Sequence, residues 1–250
     1  VFAWQWPIIR EGFDNASGIA CVSRSLRQDL VTQGLVDTTE VEIIPNTVDP
    51  MFFRSPAKDR SDASKFSLIT VTRLVPHKRV DLLLRAVSKL PSTVVLTVVG
   101  NGPSRRSLED LATALNIDDQ VRFTGTLDRE EVRAAYSSSD VFVLASRTEP
   151  FGVVLVEAMA TGLPLVATRS GGPEDIVTPN TGILVPTDDV EALAAAVKTL
   201  KGAPADRFRP ETIRSVAVDR YSPDAFVQRS RSLYEDARLD RSARPFPLRP

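Results

Sequence analysis

From Phe66 onward the chain repeats one pattern: a short apolar run, a turn carrying Gly, Pro or charge, then apolar residues at helical spacing. Thr93 to Val99 (TVVLTVV) is the clearest run, a nearly continuous β-branched stretch of the kind a strand shows when helices cover both its faces. Phe66–Thr72, Val121–Thr124, Val141–Leu144, Leu163–Thr168 and Ile183–Val185 are further runs of this type. Helical spacing lies between them. Leu83, Ala86, Val87 and Leu90 share one side of 80–90, and Leu108, Leu111, Ala112 and Leu115 fall at i, i+3, i+4 and i+7. Further helices are expected over 129–138 and 152–161, near Pro173–Val177, and in an alanine-rich stretch ending at Leu200. Asp128 with Glu131, and Asp188 with Glu191, have capping-box spacing before two of them. Strands that alternate with single helices must run parallel with helices on both faces, so the fold class is α/β, a doubly wound Rossmann-like sheet.

The flanks read differently. Residues 1–15 hold Trp4 and Trp6 and read as a hydrophobic docking segment. Gly18–Val22 is a short strand, Ser23 caps a helix from about Arg24 to Gly34, and Val41–Ile44 is another strand. Pro45 and Pro50 then mark a boundary, and Ser55–Ser64 reads as a loop. Lys201–Pro210 is a polar break; Ser222 and Pro223 are N-cap and N1 of a last helix to about Leu239, followed by a tail.

Open parallel sheets bind ligands beyond the carboxyl ends of their strands, so the strand-to-helix turns carry the candidate chemistry. They are Arg73–Arg79, Gly100–Pro103, Gly125–Leu127, Ser146–Gly152 and Ser170–Gly172. Arg73 and Lys78, two cations on one turn, suit a diphosphate, although a solvated basic turn has the same composition. The backbone N–H groups of Phe151 to Val154 open a helix and attract phosphate or hydroxyl oxygens. Glu157 stands among apolar neighbours on that helix, where a carboxylate needs a partner; ribose hydroxyls are one, and a single exposed stripe is the alternative. Gly171 and Gly172 fit either a tight turn or a close approach to a ligand. A net charge of −1 argues against broad nucleic-acid binding. Cys21 is the only cysteine and His77 the only histidine, so no internal disulfide and no His/Cys metal site is expected. No apolar run reaches ~18 residues, and no signal peptide is read. The lone cysteine fits a reducing, cytoplasmic compartment, and the chain opens at Val1 in mid-pattern, which reads as a segment of a longer protein.

Glu149-Pro150-Phe151-Gly152, then Glu157 to Ala167, then Gly171-Gly172, resembles the glutamate-x7-glutamate signature of family 4 (group 1) retaining glycosyltransferases, which have the two-domain GT-B fold. Arg73–Lys78, Gly100–Pro103, Val121–Gly125 and Thr181–Pro186 match further segments in order, and Ile44–Asp49 resembles the segment joining the domains. The resemblance covers roughly residues 19–240. It implies that 1–49 is the remnant of an N-terminal acceptor domain with its linker, 50–210 the nucleotide-sugar domain, and 211–250 a C-terminal helix and tail. It implies a UDP- or GDP-linked sugar donor, a hydroxyl acceptor, hexosyl transfer with retention, and neither metal nor cofactor. Arg73 and Lys78 would hold the donor diphosphate. Glu149 and the N–H groups of Phe151 and Gly152 would touch the sugar, and those of Val153 and Val154 the adjoining phosphate. Glu157 would bind the ribose, with Thr126 and Leu127 lining the base. Thr72, Arg79 and Thr47 depart from positions where glycine is common. Relatives begin with a second domain that carries most of the acceptor site and the determinants of peripheral membrane attachment, so this segment alone is expected to bind donor without transfer. A donor-binding module that needs a partner, and a GT-B sugar-nucleotide epimerase, are the alternatives.

Overall fold

The computed structural model describes residues 6–37, 41–54, 64–204 and 206–243, with side chains placed from residue 9 to 235 within them. Trp4 and most of the polar 55–64 stretch lie outside the described residues. A small unit comes first: α1 (Trp6–Asp14), β1 (Ile19–Cys21), α2 (Arg24–Thr32) and β2 (Val41–Ile43), with β1 and β2 paired in parallel. Ser23 caps α2 as expected, its hydroxyl accepting from the Leu26 N–H at 3.1 Å. Ile9 and Phe13 of α1 pack on Cys21, Leu35, Val36 and Val41, so the docking segment covers this unit's own small core.

The main body follows as β3 (Phe66–Val71), α3 (Val80–Val87), β4 (Val94–Val99), α4 (Arg105–Ala114), β5 (Val121–Gly125), α5 (Arg129–Ser137), β6 (Val141–Leu144), α6 (Val153–Ala160), β7 (Leu165–Thr168), α7 (Pro173–Ile176), β8 (Gly182–Val185) and α8 (Val190–Lys201). The sheet has six parallel strands in the order β5-β4-β3-β6-β7-β8. Chain direction across the sheet reverses between β3 and β6, which is the switch point of a doubly wound fold. Alternation along the strands fills two cores. Leu68, Leu96, Val98, Val141 and Val143 face α3, α4 and α8; Ile69, Phe142, Leu144 and Ala167 face α5 and α6. Each fully buried Val, Leu, Ile or Phe side chain among them contributes ~1.5–3 kcal/mol.

Two expectations are corrected. The stretch before the final helix α10 (Pro223–Ala243) holds another helix, α9 (Pro210–Tyr221), with Pro210 at its start. Its apolar stripe is narrow, Ile213, Ala217 and Tyr221 at four-residue spacing, and all three are buried in the α6 core. Arg214 also donates to the carbonyls of Ala160 and Thr161 at the end of α6, both at 3.2 Å. The second correction concerns α8, whose N-cap is Asp189 rather than Asp188: its carboxylate accepts from the Ala192 N–H at 2.9 Å. Asp188 is drawn instead to arginines on neighbouring turns. The capping box at Asp128 and Glu131 forms as expected, with both of its hydrogen bonds at 2.8 Å.

Candidate functional site

The turns at the carboxyl edge of the sheet are laced together through their backbones. Gly100 N–H donates to Gly125 C=O at 2.8 Å, Leu74 N–H to Asn101 C=O at 3.0 Å, Arg147 N–H to His77 C=O at 2.8 Å, and Glu149 N–H to Ser170 C=O at 2.8 Å. These bonds run continuously from the β5–α5 turn to the β7–α7 turn, so the sequence-separated candidates share one edge. Glycine permits the lacing. A Cβ on Gly100 would lie 1.9 Å from Thr72 O, and one on Gly172 would lie 2.3 Å from the Cα of Phe151. Gly172 therefore serves a close approach of backbone to backbone.

At the switch point Lys78 Nζ donates to Glu149 Oε2 at 2.6 Å, with the side chains 19% and 11% exposed. Ser146 Oγ lies 3.4 Å from the same oxygen. Arg73 stands exposed on the turn that carries Lys78. Glu149 closes a turn into α6, whose N-cap Gly152 has φ 100° and supplies no side-chain acceptor. The first-turn N–H groups of Val153 and Val154 thus present the positive end of the helix dipole beside the Lys78–Glu149 pair. Val153 is 38% exposed although apolar, which leaves this helix start open to solvent.

Glu157 is five residues beyond Gly152, the N-cap of α6, about 7.5 Å along the axis at 1.5 Å per residue. Its partner is Tyr136 of α5, whose buried hydroxyl donates to Oε2 at 3.1 Å. Burial pushes the Glu157 carboxyl above the usual carboxylate range; the Tyr136 hydrogen bond and Arg129 pull it back in part, while Asp49 raises it further. Arg129 pairs with Asp49 at 3.0 Å. Burial, then the nearby Glu157 charge, raises Tyr136 well above an ordinary tyrosine. Thr126 is exposed on the β5–α5 turn, and Leu127 is half-buried against the α6 core. Arg73, Lys78, Glu149 and the α6 N-terminus thus share the switch point, and Glu157 stands farther along the same helix.

Sequence reasoning missed Tyr136 and the pairing of Asp188 with Arg79 and Arg147. Nothing local marks Tyr136. The Asp188 contact left one trace, a charge at a position read only as a helix cap.

A parallel sheet in this order, with cations and a helix start at its switch point, defines a doubly wound α/β domain. A family model described as glycosyl transferases group 1 matches residues 52–215, and the chain belongs to that family. A sulfoquinovosyl transferase of Arabidopsis thaliana is 32% identical over 215 residues, 80% of this chain and 41% of the relative. Among solved structures, sucrose-phosphate synthase of Thermosynechococcus elongatus superimposes with a TM-score of 0.83 at 26% identity, covering 96% of this chain and 63% of that one. HepE of Anabaena, in complex with UDP-glucose, superimposes with a TM-score of 0.77 at 23% identity over 90% of this chain and 64% of its own, and shows the same fold. The fold is GT-B. The chain spans about half the length of the named relatives it matches. Among the described residues no helix is long and apolar enough to cross a membrane.

Proposed function

We propose that this chain supplies the donor-binding half of a glycosyltransferase that moves a hexosyl group, with retention, from a UDP- or GDP-linked sugar to a hydroxyl acceptor. The observation that carries the proposal is the Lys78–Glu149 contact at the switch point, in front of an α6 N-terminus with no side-chain cap. An ammonium has three donors, so Lys78 can keep Glu149 and still hold phosphate oxygens. With Arg73 and the Val153 and Val154 N–H groups, it stabilises the negative charge that grows on the departing diphosphate, and no metal is required for that role. Glu149, with the Phe151 and Gly152 N–H groups, faces the sugar. Glu157 has Oε2 held by Tyr136 and offers Oε1 to ribose hydroxyls, with Thr126 and Leu127 beside the base. The acceptor site belongs to the half of the relatives' length that this chain does not span, so the chain alone binds donor without transferring it.

Calorimetric titration with UDP, GDP, ADP and their glucose conjugates tests this reading. Lys78→Ala weakens every diphosphate ligand, and Glu157→Ala weakens the ribonucleotides by ~1–3 kcal/mol. Unchanged affinity in both variants contradicts the site.

A further inference from the structure

Among the described residues three non-glycine residues have left-handed backbone, and two of them, Arg79 (φ 50°) and Asp188 (φ 61°), are ion-paired with each other. Side chains disfavour this conformation, and it persists only where the surroundings over-determine it. The surroundings here are a charge network. Arg79 also donates from Nε and Nη2 to both carboxylate oxygens of Asp81, at 3.0 and 3.2 Å. Asp188 accepts from Arg147 as well, Nε at 3.1 Å and Nη2 at 3.2 Å. Arg79 directly follows Lys78, and Arg147 lies two residues before Glu149. One carboxylate from the β8–α8 turn therefore clasps the two turns that bring Lys78 and Glu149 together. The Arg79 side chain is 17% exposed, so its part of the clasp is sheltered from solvent.

We propose that Asp188 and Arg79 are positioning residues for diphosphate binding. By fixing the β3–α3 turn against the β6–α6 turn, the clasp holds the Lys78 ammonium where it reaches both Glu149 and the phosphates. The proposal rests on the diphosphate reading of the Lys78–Glu149 site. Arg79 does more than end the short turn, because glycine meets the left-handed backbone requirement at less strain and without a side chain.

The test uses Arg79→Gly and Asp188→Gly, which keep the backbone conformation accessible, with Asp188→Asn as a second variant that keeps the side-chain shape. UDP and GDP affinities are titrated in each, in Arg79→Gly/Asp188→Gly, and in Lys78→Ala with and without Arg79→Gly; thermal unfolding is followed in parallel. Each glycine variant weakens diphosphate binding about tenfold, the size of one charge-assisted hydrogen bond lost. The double variant is no weaker than the worse single, and the loss caused by Lys78→Ala shrinks once Arg79 is absent. Native affinity in the single variants, or an undiminished Lys78→Ala loss together with lowered thermal stability, overturns the clasp and leaves the site reading standing. If the native chain binds neither UDP nor GDP, or Lys78→Ala binds as the native chain does, the site reading fails and the clasp proposal fails with it.

Discussion

Removing the Lys78 ammonium should destabilise the fold as well as the site. Glu149 is 8% exposed as a residue, and among the described residues its carboxylate has, beyond Lys78, only Ser146 Oγ, at 3.4 Å. Lys78→Met keeps the apolar stem and leaves that carboxylate uncompensated. Breaking a buried ion pair costs ~3–5 kcal/mol, and the residual exposure of both side chains, 19% and 11%, places this pair at or below the lower end. We therefore expect ~2–3 kcal/mol, which at a urea slope near ~3 kcal/mol/M lowers the unfolding midpoint by ~1 M. Lys78→Met/Glu149→Gln removes the stranded charge together with its partner and should recover most of the loss, because an isosteric neutral pair is close to neutral for stability. The double variant should still bind UDP and GDP more weakly than the native chain, since the Lys78 cation no longer faces the phosphates. Equilibrium urea unfolding followed by far-ultraviolet circular dichroism measures all three proteins. A midpoint for Lys78→Met equal to that of the native chain would refute the claim that the pair is sheltered. A double variant as unstable as the single would refute the stranded-charge explanation.

Other consequences concern Glu157, Gly172 and α9. Burial raises the Glu157 carboxyl above its unfolded value, so the stability it contributes is present at acid pH and is lost as pH rises through the folded pKa. Glu157→Gln should remove that fall, and stability curves of native and variant chains measured between pH 4 and 8 that stay parallel would exclude it. Ribose hydroxyls bond more strongly to an ionised carboxylate than to a neutral one, so nucleotide affinity should weaken as pH falls through the same pKa in the native chain and not in Glu157→Gln, as titration at several pH values would register. Gly172→Ala drives a Cβ to 2.3 Å from both Cα and O of Phe151, which no side-chain rotation relieves. It should cost upwards of ~3 kcal/mol and loosen the turn that holds Glu149, seen as a lowered Tm together with weaker UDP binding. Ile213→Ala should cost ~2–5 kcal/mol from the α6 core, whereas Val218→Ala on the exposed side of the same helix should change the stability by less than ~0.5 kcal/mol.

Most of the sheet was legible because its strands carry the signal in themselves. Thr93–Val99 could hardly be anything but a buried strand, and single-helix connections left parallel pairing as the ordinary solution. The edge of the site was legible for the same reason: once the strands are placed, their outgoing turns must meet. Lys78 and Glu149 are 71 residues apart, yet both could be assigned to that edge. The need of Glu157 for a partner was also legible from its apolar neighbours. That the partner is Tyr136 was not, because 21 residues and a strand separate them and only the packing of α5 on α6 joins them. Helix α9 escaped because one buried residue per turn is too thin a stripe to separate from a polar connector. Asp188 was misread because two adjacent aspartates offer the same capping chemistry, and which of them caps is decided by arginines on distant turns.

The central claim is that the turns at the β3–β6 switch point form one donor pocket. A crystal structure of the chain with UDP bound, and a second with GDP, tests it most directly. The account predicts diphosphate oxygens within about 3 Å of Lys78 Nζ and of the N–H groups that open α6, with ribose hydroxyls on Glu157. A nucleotide held elsewhere on the chain, or seated with its diphosphate away from Lys78, would contradict it.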